Sequence, residues 1–483
     1  MNPRRLLRNS FAMTGGVVAG GLLLFLTFVL IARYLPVQRF GEFVFVLTLA
    51  SIFQLFADGG IVNVTIRDLA RSPDERDRLF GSTRSLVWIL TMLMTAVVVI
   101  GTHFWGPDPA IRVTAWAMGA ASLMALHGLL YAGVVRAFED MGLVALAGLL
   151  HKVLLLGLVA VAIAFDTGIE GVAIAHAGAN LLQWAFFGVL VRRRYRLARM
   201  RLDLAHWKYL IGAAVPLGVG QVLRRMTTHL GTFLLAALSS VVAVGLYSSA
   251  YRVIQMIEIG AVAATSVLFP VFSRLARDER GLLKRLYGDS LRIMLVLAAA
   301  VGGLLVAFGS HLVLVIFGPG YADAGPALQV LGGALVFLMP SAVMHAMFSA
   351  IDRQTLFMKL ALLGILVNAT LGALLIPQFG SSGAAIATFA TEVLLFLTGA
   401  WLLDKEDLRA AYLDMYLRVL LTTAAVTAAA WWLGPSIRSG PWLLLSCVAY
   451  LVVYAALVVV SRAVTPKELA FIAASARPRP PAG

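Results

Sequence analysis

Charge is scarce in this 483-residue chain. Only 13% of its residues are charged, about half the roughly 25% of a soluble globular protein. No polar stretch is long enough to build a separate soluble domain. Cysteine is nearly absent: the single Cys447 excludes an intramolecular disulfide and any thiolate metal cluster. The phosphate loop G-x-x-x-x-G-K-[ST] is missing, which excludes that class of ATPase. No His/Cys metal spacing and no nucleophile elbow occur. A membrane glycosyltransferase or polymerase is the enzyme-class rival, but it would present a large polar outer loop, and the outer loops here are short.

What the chain has instead is apolar sequence. Hydrophobic residues make up 60%, in recurrent runs long enough to cross ~30 Å of hydrocarbon as helices. The first run, from about Phe11 to Ile31, follows Arg4, Arg5 and Arg8. It is too long for a signal-peptide core and lacks an A-x-A cleavage site, so it reads as the first span. The pattern predicts an all-α integral membrane protein of about fourteen spans. They lie near 10–33, 40–66, 85–105, 112–135, 141–165, 170–191, 209–238, 241–272, 288–310, 325–350, 356–377, 382–403, 413–434 and 441–461.

Acidic residues are few, 24 against 39 Lys and Arg, for a formal net charge of +15. Such a surplus can mark a nucleic-acid partner, but its distribution argues otherwise. The seven alternate loops, the first of them following span 1, hold four basic residues, Arg33, Arg39, Arg112 and Arg438, and four more, Lys152, Arg224, Arg225 and Arg252, fall within spans. The remaining 31 lie in the two tails and the other loops. This asymmetry is the positive-inside pattern and predicts both termini in the cytoplasm. Clusters such as "VRRRYRLARMR" (191–201) then sit beside anionic membrane lipid rather than nucleic acid.

Two weakly similar halves are visible. "EGVAIAHAGANLLQW" (170–184) aligns with "SGAAIATFATEVLLF" (382–396), and "RFGEFVFVLTLASIFQ" (39–54) with "AVGLYSSAYRVIQMIE" (243–258). The second alignment places Gly41 opposite Gly245 and Phe43 opposite Tyr247. A duplicated unit of six spans predicts two similarly oriented lobes, 1–205 and 206–404, around a central cavity. Residues 405–483 then hold two additional spans and a short cytoplasmic tail.

The segment "IARYLPVQRFGEFVFVLTLASIFQLFADGGIVNVTIRDLAR" (31–71) carries a resemblance. Ala32-Arg33, Leu35, Phe40-Gly41, Asp58-Gly59-Gly60 and Arg67 follow the pattern of the oligosaccharide flippases that serve O-antigen and polysaccharide biosynthesis. That family lies within the multidrug/oligosaccharidyl-lipid/polysaccharide exporter superfamily. A similar Gly-rich turn recurs at "FGPGYADAGPALQVL" (317–331). The resemblance implies a bacterial inner-membrane transporter working by alternating access. Its cargo would be a glycan on a polyprenyl pyrophosphate, for lipopolysaccharide or related surface polymers. It implies no cofactor, coupling to H+ or Na+, and a polysaccharide polymerase or ligase as a pathway partner. A lipid II-type precursor flippase and an ion-coupled small-molecule exporter are the sister alternatives. The first usually shows an "SR-x-x-G-F-x-R-D" signature where this chain reads "LIARYLP".

The candidate site follows from charges inside the apolar runs. "PLGVGQVLRRMTTHLGTFLLAAL" (216–238) is apolar enough to cross a bilayer, yet holds Arg224, Arg225 and His229. An intramembrane arginine costs about 2.5–3.5 kcal/mol on insertion scales, which a watery cavity or an anion offsets. If the span begins at Pro216, both arginines are still well inside it. Gly218, Gln221, Arg225, Thr228 and Thr232 recur at three- and four-residue steps, forming one polar face. The next span brings Ser248, Arg252 and Gln255 on one stripe, with Glu258 a turn further, and the second brings Gln54, Asp58 and Thr65. The resemblance places spans 1, 2, 7 and 8 around the cavity. Arg224, Arg225 and Arg252 then grip pyrophosphate or acidic sugars, because a guanidinium matches phosphate oxygens bidentately. Gln54, Gln221, Gln255 and Tyr251 would bond to or stack on sugars. The alternative is that these arginines pair with Asp58 and Glu258 and hold the lobes together. Asp58, His229 and Glu258 are the ion-coupling candidates. His127, His151, Lys152, His176 and His345 read as packing or headgroup contacts, and Glu392 as an ion site or structural partner.

Overall fold

The computed structural model describes residues 3–105, 108–197, 200–406, 408, 412–433 and 440–461. For 3–14, 73, 102–105, 216, 217, 219–222, 224, 225, 227, 228, 412–415, 433 and 440 it describes the backbone alone. Every regular element among these residues is helical: α1 (Pro3–Tyr34), α2 (Val37–Asp58), α3 (Ile61–Arg71), α4 (Arg76–Trp105), α5 (Pro109–Ala137), α6 (Met141–Ala164), α7 (Gly168–Arg194), α8 (Leu204–Leu238), α9 (Val241–Asp278), α10 (Arg280–Phe317), α11 (Gly325–Ala350), α12 (Gln354–Asp404), α13 (Tyr412–Leu433) and α14 (Gly440–Val460). Hydrocarbon offers no partner for backbone polar groups, so a spanning chain satisfies them within helices.

Helix starts follow local chemistry. Asp108 accepts from Ala110 N at 2.9 Å, with Pro109 at the first helical position of α5. Asp203 accepts from His206 N at 3.0 Å and starts α8. Ser240 Oγ accepts from Ala243 N at 3.1 Å at the head of α9. Because Asp203 sets the start, α8 runs through position 216 rather than beginning there.

Eleven helical segments among the described residues are long and apolar enough to cross a bilayer, making this a multi-pass membrane protein. Their outer faces expose side chains that water would reject, such as Leu366, Leu444 and Val460. The expected spans correspond to α1, α2, α4 to α11, the two halves of α12, α13 and α14. α12, 51 residues in all, is two helices joined at a kink, each half about 36–39 Å long and so enough for one crossing. Its backbone leaves helical geometry at Gly380 (φ 53°, ψ −126°), three residues after Pro377.

One expected span is interrupted. The run 40–66 is not one helix: α2 ends at Asp58, and Gly59 (φ 49°) and Gly60 (φ 90°) are both left-handed. Two such residues in succession break the helical ladder, and only glycine adopts that conformation at low cost. Asp58 Oδ1 accepts from Val62 N at 3.1 Å and so satisfies a donor in the first turn of α3.

The chain forms two compact units, Met1–Arg252 and Val253–Gly483. In the first, α5 packs along α7, α4 along α5, and α6 along α7 and α1. Its core includes Leu69, Phe80, Leu126, Leu130, Val134 and Phe187, all at most 1% exposed. The turns at its arginine-rich end are strapped together. Arg78 donates from Nε and Nη2 to Asp203 Oδ2 at 3.0 and 2.9 Å. Trp207 Nε1 donates to Ser82 O at 3.0 Å, and Ser85 Oγ to Arg201 O at 2.6 Å. Tyr195 donates to Asp140, which also pairs with Arg194 at 3.0 Å. At the opposite end Arg39 bridges Glu42 (2.9 Å) and Asp108 (2.6 Å), and Tyr34 joins Asp166 and Gly168.

In the second unit α11 packs against α10 and α12, while α13 and α14 lie against α10. Tyr454 donates to Val296 O at 3.0 Å, and Thr427 and Tyr450 share a hydrogen bond of 3.1 Å.

Candidate functional site

Two glycine contacts bring α8 and α9 onto α2 within the first unit. At Gly218 of α8 a Cβ would collide with the Gly59 carbonyl oxygen, so the α8 backbone rests on the break between α2 and α3. At Gly41 of α2 a Cβ would collide with Val241 O, and at Gly245 of α9 it would lie 2.5 Å from Val37 O. Close backbone approach through small residues is a usual means of helix association in lipid, where apolar burial offers little gain.

This packing carries Arg252 inward. Its guanidinium carbon lies 3.6 Å from the centre of the Phe28 ring in α1. Phe28 is buried (3% exposed). It leads to Phe43 of α2 (6.4 Å), which meets His176 of α7 edge-on (5.3 Å). Desolvated cation–π contacts are worth about 2 kcal/mol or more. The ring meets the face of the guanidinium, whereas the N–H donors point outward in the guanidinium's own plane, the geometry in which arginine meets oxyanions. The preceding residue, Tyr251, stacks on Tyr247 one turn earlier (5.6 Å, 11° between planes). Tyr247 in turn lies against Gly231 of α8.

Asp58 and Gln54 make contacts elsewhere. Asp58 is buried, and its carboxylate bonds locally to the start of α3. Gln54 lines a narrow crevice with Ala50 of the same helix, Thr95 of α4 and Gly119 of α5, on the α4–α5 side of α2. His229 is half-buried on α8. Gln255 and Glu258 lie further along α9, both half-buried, within the second unit, where Glu258 is in electrostatic range of Glu392 of α12. The side chains of Gln221, Arg224 and Arg225 lie outside the described residues; their backbone is the 18th, 21st and 22nd position of the 35-residue α8. Sequence reasoning did not select Phe28, whose partnership with Arg252 joins residues more than two hundred positions apart. An aromatic in an apolar run carries no signal of its own.

The sequence profile described as Polysaccharide biosynthesis protein matches residues 6–276, from α1 nearly to the end of α9. The chain belongs to the polysaccharide biosynthesis protein family. This family member is 31% identical over 180 residues to the probable flippase AglR of Haloferax volcanii, covering 36% of this chain and 37% of that protein. It is 27% identical over 157 residues to the probable low-salt glycan biosynthesis flippase Agl15 of the same organism, covering 32% and 33%. The chain thus matches about a third of the length of these curated relatives. Over 92% of its length it shares the fold of a lipid II flippase, MurJ, in an inward closed conformation (TM-score 0.75, 13% identity, 97% of that chain). The fold expected from the span pattern is therefore the one found.

Proposed function

We propose that this family member is a flippase that moves a polyprenyl-pyrophosphate-linked oligosaccharide across the bilayer by alternating access. The observation that carries the reading is Arg252, held on a buried aromatic ring inside an apolar bundle, with Arg224 and Arg225 on the adjoining α8. All three lie within the family-matched residues. Arginines inside a membrane span are kept at a cost and mark functional sites, and pyrophosphate is an anion whose oxygens suit a guanidinium fork.

The polyprenyl tail would remain in lipid while the headgroup crosses. The arginine-rich ends would face the cytoplasm, and the sequence lobes 1–205 and 206–404 would alternate the access. A membrane potential negative inside favours export of an anion by ~2.3 kcal/mol per charge per 100 mV. Asp58, His229 and Glu258 are proposed as the groups that couple movement to H+ or Na+. The protein acts as a transporter rather than an enzyme.

The test is a leaflet-exposure assay in proteoliposomes, with a fluorescent polyprenyl-pyrophosphate oligosaccharide, an imposed potential and no nucleotide. Protein-dependent movement of this lipid, faster than that of a lipid II-type precursor, is the expected result. Movement of the precursor alone would transfer the reading to peptidoglycan supply. No movement of either lipid under any imposed gradient would contradict it.

A further inference from the structure

The first unit carries a second cationic feature, with no described lining residue on α1, α2, α8 or α9. A groove of about 530 Å³ runs between α4, α5 and α7. Its wall on α7 is Leu181, Ala185, Gly188 and Arg192, at steps of four, three and four residues and therefore on one helix face. Arg84 of α4, Tyr131 of α5 and Trp184 complete it, and none of the described lining residues is acidic. Leu181 and Val189 are 42% and 52% exposed, so the groove is open on the side that faces hydrocarbon.

The two arginines mark one end of this groove. Arg84 is the ninth residue of α4 and Arg192 is two residues from the end of α7. From Arg192 to Leu181 the groove extends about 16 Å along α7. Its polar end lies at the level of the arginine-rich turns and its apolar end in the span, as in an amphiphile. Tyr131 accepts from Arg84 Nη1 at 3.3 Å, and its ring is fixed edge-on against Phe80 (5.2 Å). Trp184 is likewise held edge-on by Trp88 (5.8 Å). Arg84 Nε is buried and has no hydrogen-bond partner among the described residues. That atom is sealed inside, but the Arg84 side chain also lines the groove; a partly buried cation with no acidic residue among the described lining residues is balanced by an oxyanion bound there.

We infer that this groove is a binding site for an anionic glycerophospholipid of the bilayer, with its phosphate between Arg84 and Arg192 and one acyl chain along Leu181, Ala185 and Gly188. A phosphodiester is the anion present at this depth, and an adjoining acyl chain suits the apolar wall. Trp184 and Tyr131 belong where aromatic side chains concentrate, at the headgroup boundary. Gly188 keeps the channel open: a Cβ there meets only Tyr131, at 3.9 Å, so a longer side chain would extend into the groove.

Native mass spectrometry of the purified full chain, titrated with phosphatidylglycerol or phosphatidylcholine, tests this. Phosphatidylglycerol should form the tighter adduct. Arg192→Gln, at an exposed position, should weaken it about fivefold, the value of one arginine near an anionic headgroup. Gly188→Leu should abolish it with both arginines intact and an unchanged thermal melt. Equal binding of the two lipids by the parent, or phosphatidylglycerol adducts unaltered in both variants, would overturn the assignment. A polyprenyl phosphate that occupies the site and is not displaced by phosphatidylglycerol would overturn it as well.

Discussion

Gly41 and Gly245 meet back to back. Each lies against the residue four positions before the other: Gly41 against the Val241 carbonyl, Gly245 against that of Val37. The two residues of each matching pair, 37 with 241 and 41 with 245, are 204 apart, the offset at which the two sequence segments align. A reciprocal contact of this kind is what a two-fold relation between equivalent segments produces. Gly41 and Gly245 occupy the first or second turn of their helices, so the heads of α2 and α9 are pinned together.

Alanine at either position therefore carries a cost that ordinary glycines do not. Its Cβ would meet a backbone carbonyl, which has no rotamer to yield. Gly41→Ala and Gly245→Ala should each destabilise by about 1–3 kcal/mol, the range of core overpacking. Gly157→Ala in α6, where nothing lies within 4 Å of the new Cβ, should instead stabilise by up to ~1 kcal/mol. Thermal melts in detergent should move in opposite directions.

Asp58 offers a way to separate architecture from charge. Its carboxylate accepts from Val62 N at 3.1 Å, in a buried setting. Asp58→Ala leaves that donor unsatisfied and should cost about 1–3 kcal/mol. Asp58→Asn retains an acceptor and should melt close to the parent. If Asp58 also couples transport to an ion, Asp58→Asn will lose its response to a pH or sodium gradient while remaining folded. An unchanged gradient response would remove Asp58 from the coupling group.

The strap between α4 and the start of α8 should be sensitive to acid. Asp203, outside the spans, is held below the ordinary carboxylate range by the His206 N–H and by Arg78. A depressed folded-state value contributes stability above the unfolded-state value, and that contribution is lost as pH falls through the folded one. The melting difference between parent and Asp203→Asn should therefore be full near neutral pH. It should begin to shrink as the pH falls into the ordinary aspartate range and vanish below it. A difference constant across that window would show that the carboxylate's charge contributes nothing.

The C-terminal pair depends on one small residue. A Cβ at Gly303 of α10 would collide with the Tyr450 hydroxyl and lie 2.6 Å from Thr427 Oγ1. Gly303→Val should displace the Thr427–Tyr450 hydrogen bond and loosen α13 and α14 from α10. Faster limited proteolysis between residues 405 and 411 would report it, and a parent-like cleavage rate would contradict this packing.

Much of this architecture was legible because hydrocarbon imposes a simple rule of length and polarity. The Gly41–Gly245 alignment was visible too, since close packing leaves small residues at matching places. The break at Gly59-Gly60 was not read, although both glycines were noted. A short polar interruption in an apolar run looks the same whether the helix continues or stops. The facing of Gln54 was hidden for a different reason. Lipid and helix neighbours are both apolar, so hydropathy does not separate a residue facing α4 and α5 from one facing α8. The arginines stood out because charge inside an apolar run is rare, while Phe28 did not, because apolar residues there are the rule.

On this reading a cationic site in α8 and α9 carries a lipid-linked anion. Its most direct test is the initial rate of leaflet exchange of the polyprenyl-pyrophosphate oligosaccharide in proteoliposomes of equal protein content. Parent, Arg224→Ala/Arg225→Ala and Arg252→Ala would be compared, with Arg252→Lys to keep charge and remove the guanidinium fork. The parent should exchange the lipid, both alanine variants should lose at least tenfold, and lysine should recover part of the rate. Exchange at the parental rate in every variant would make these arginines structural and rule out a cationic transport site.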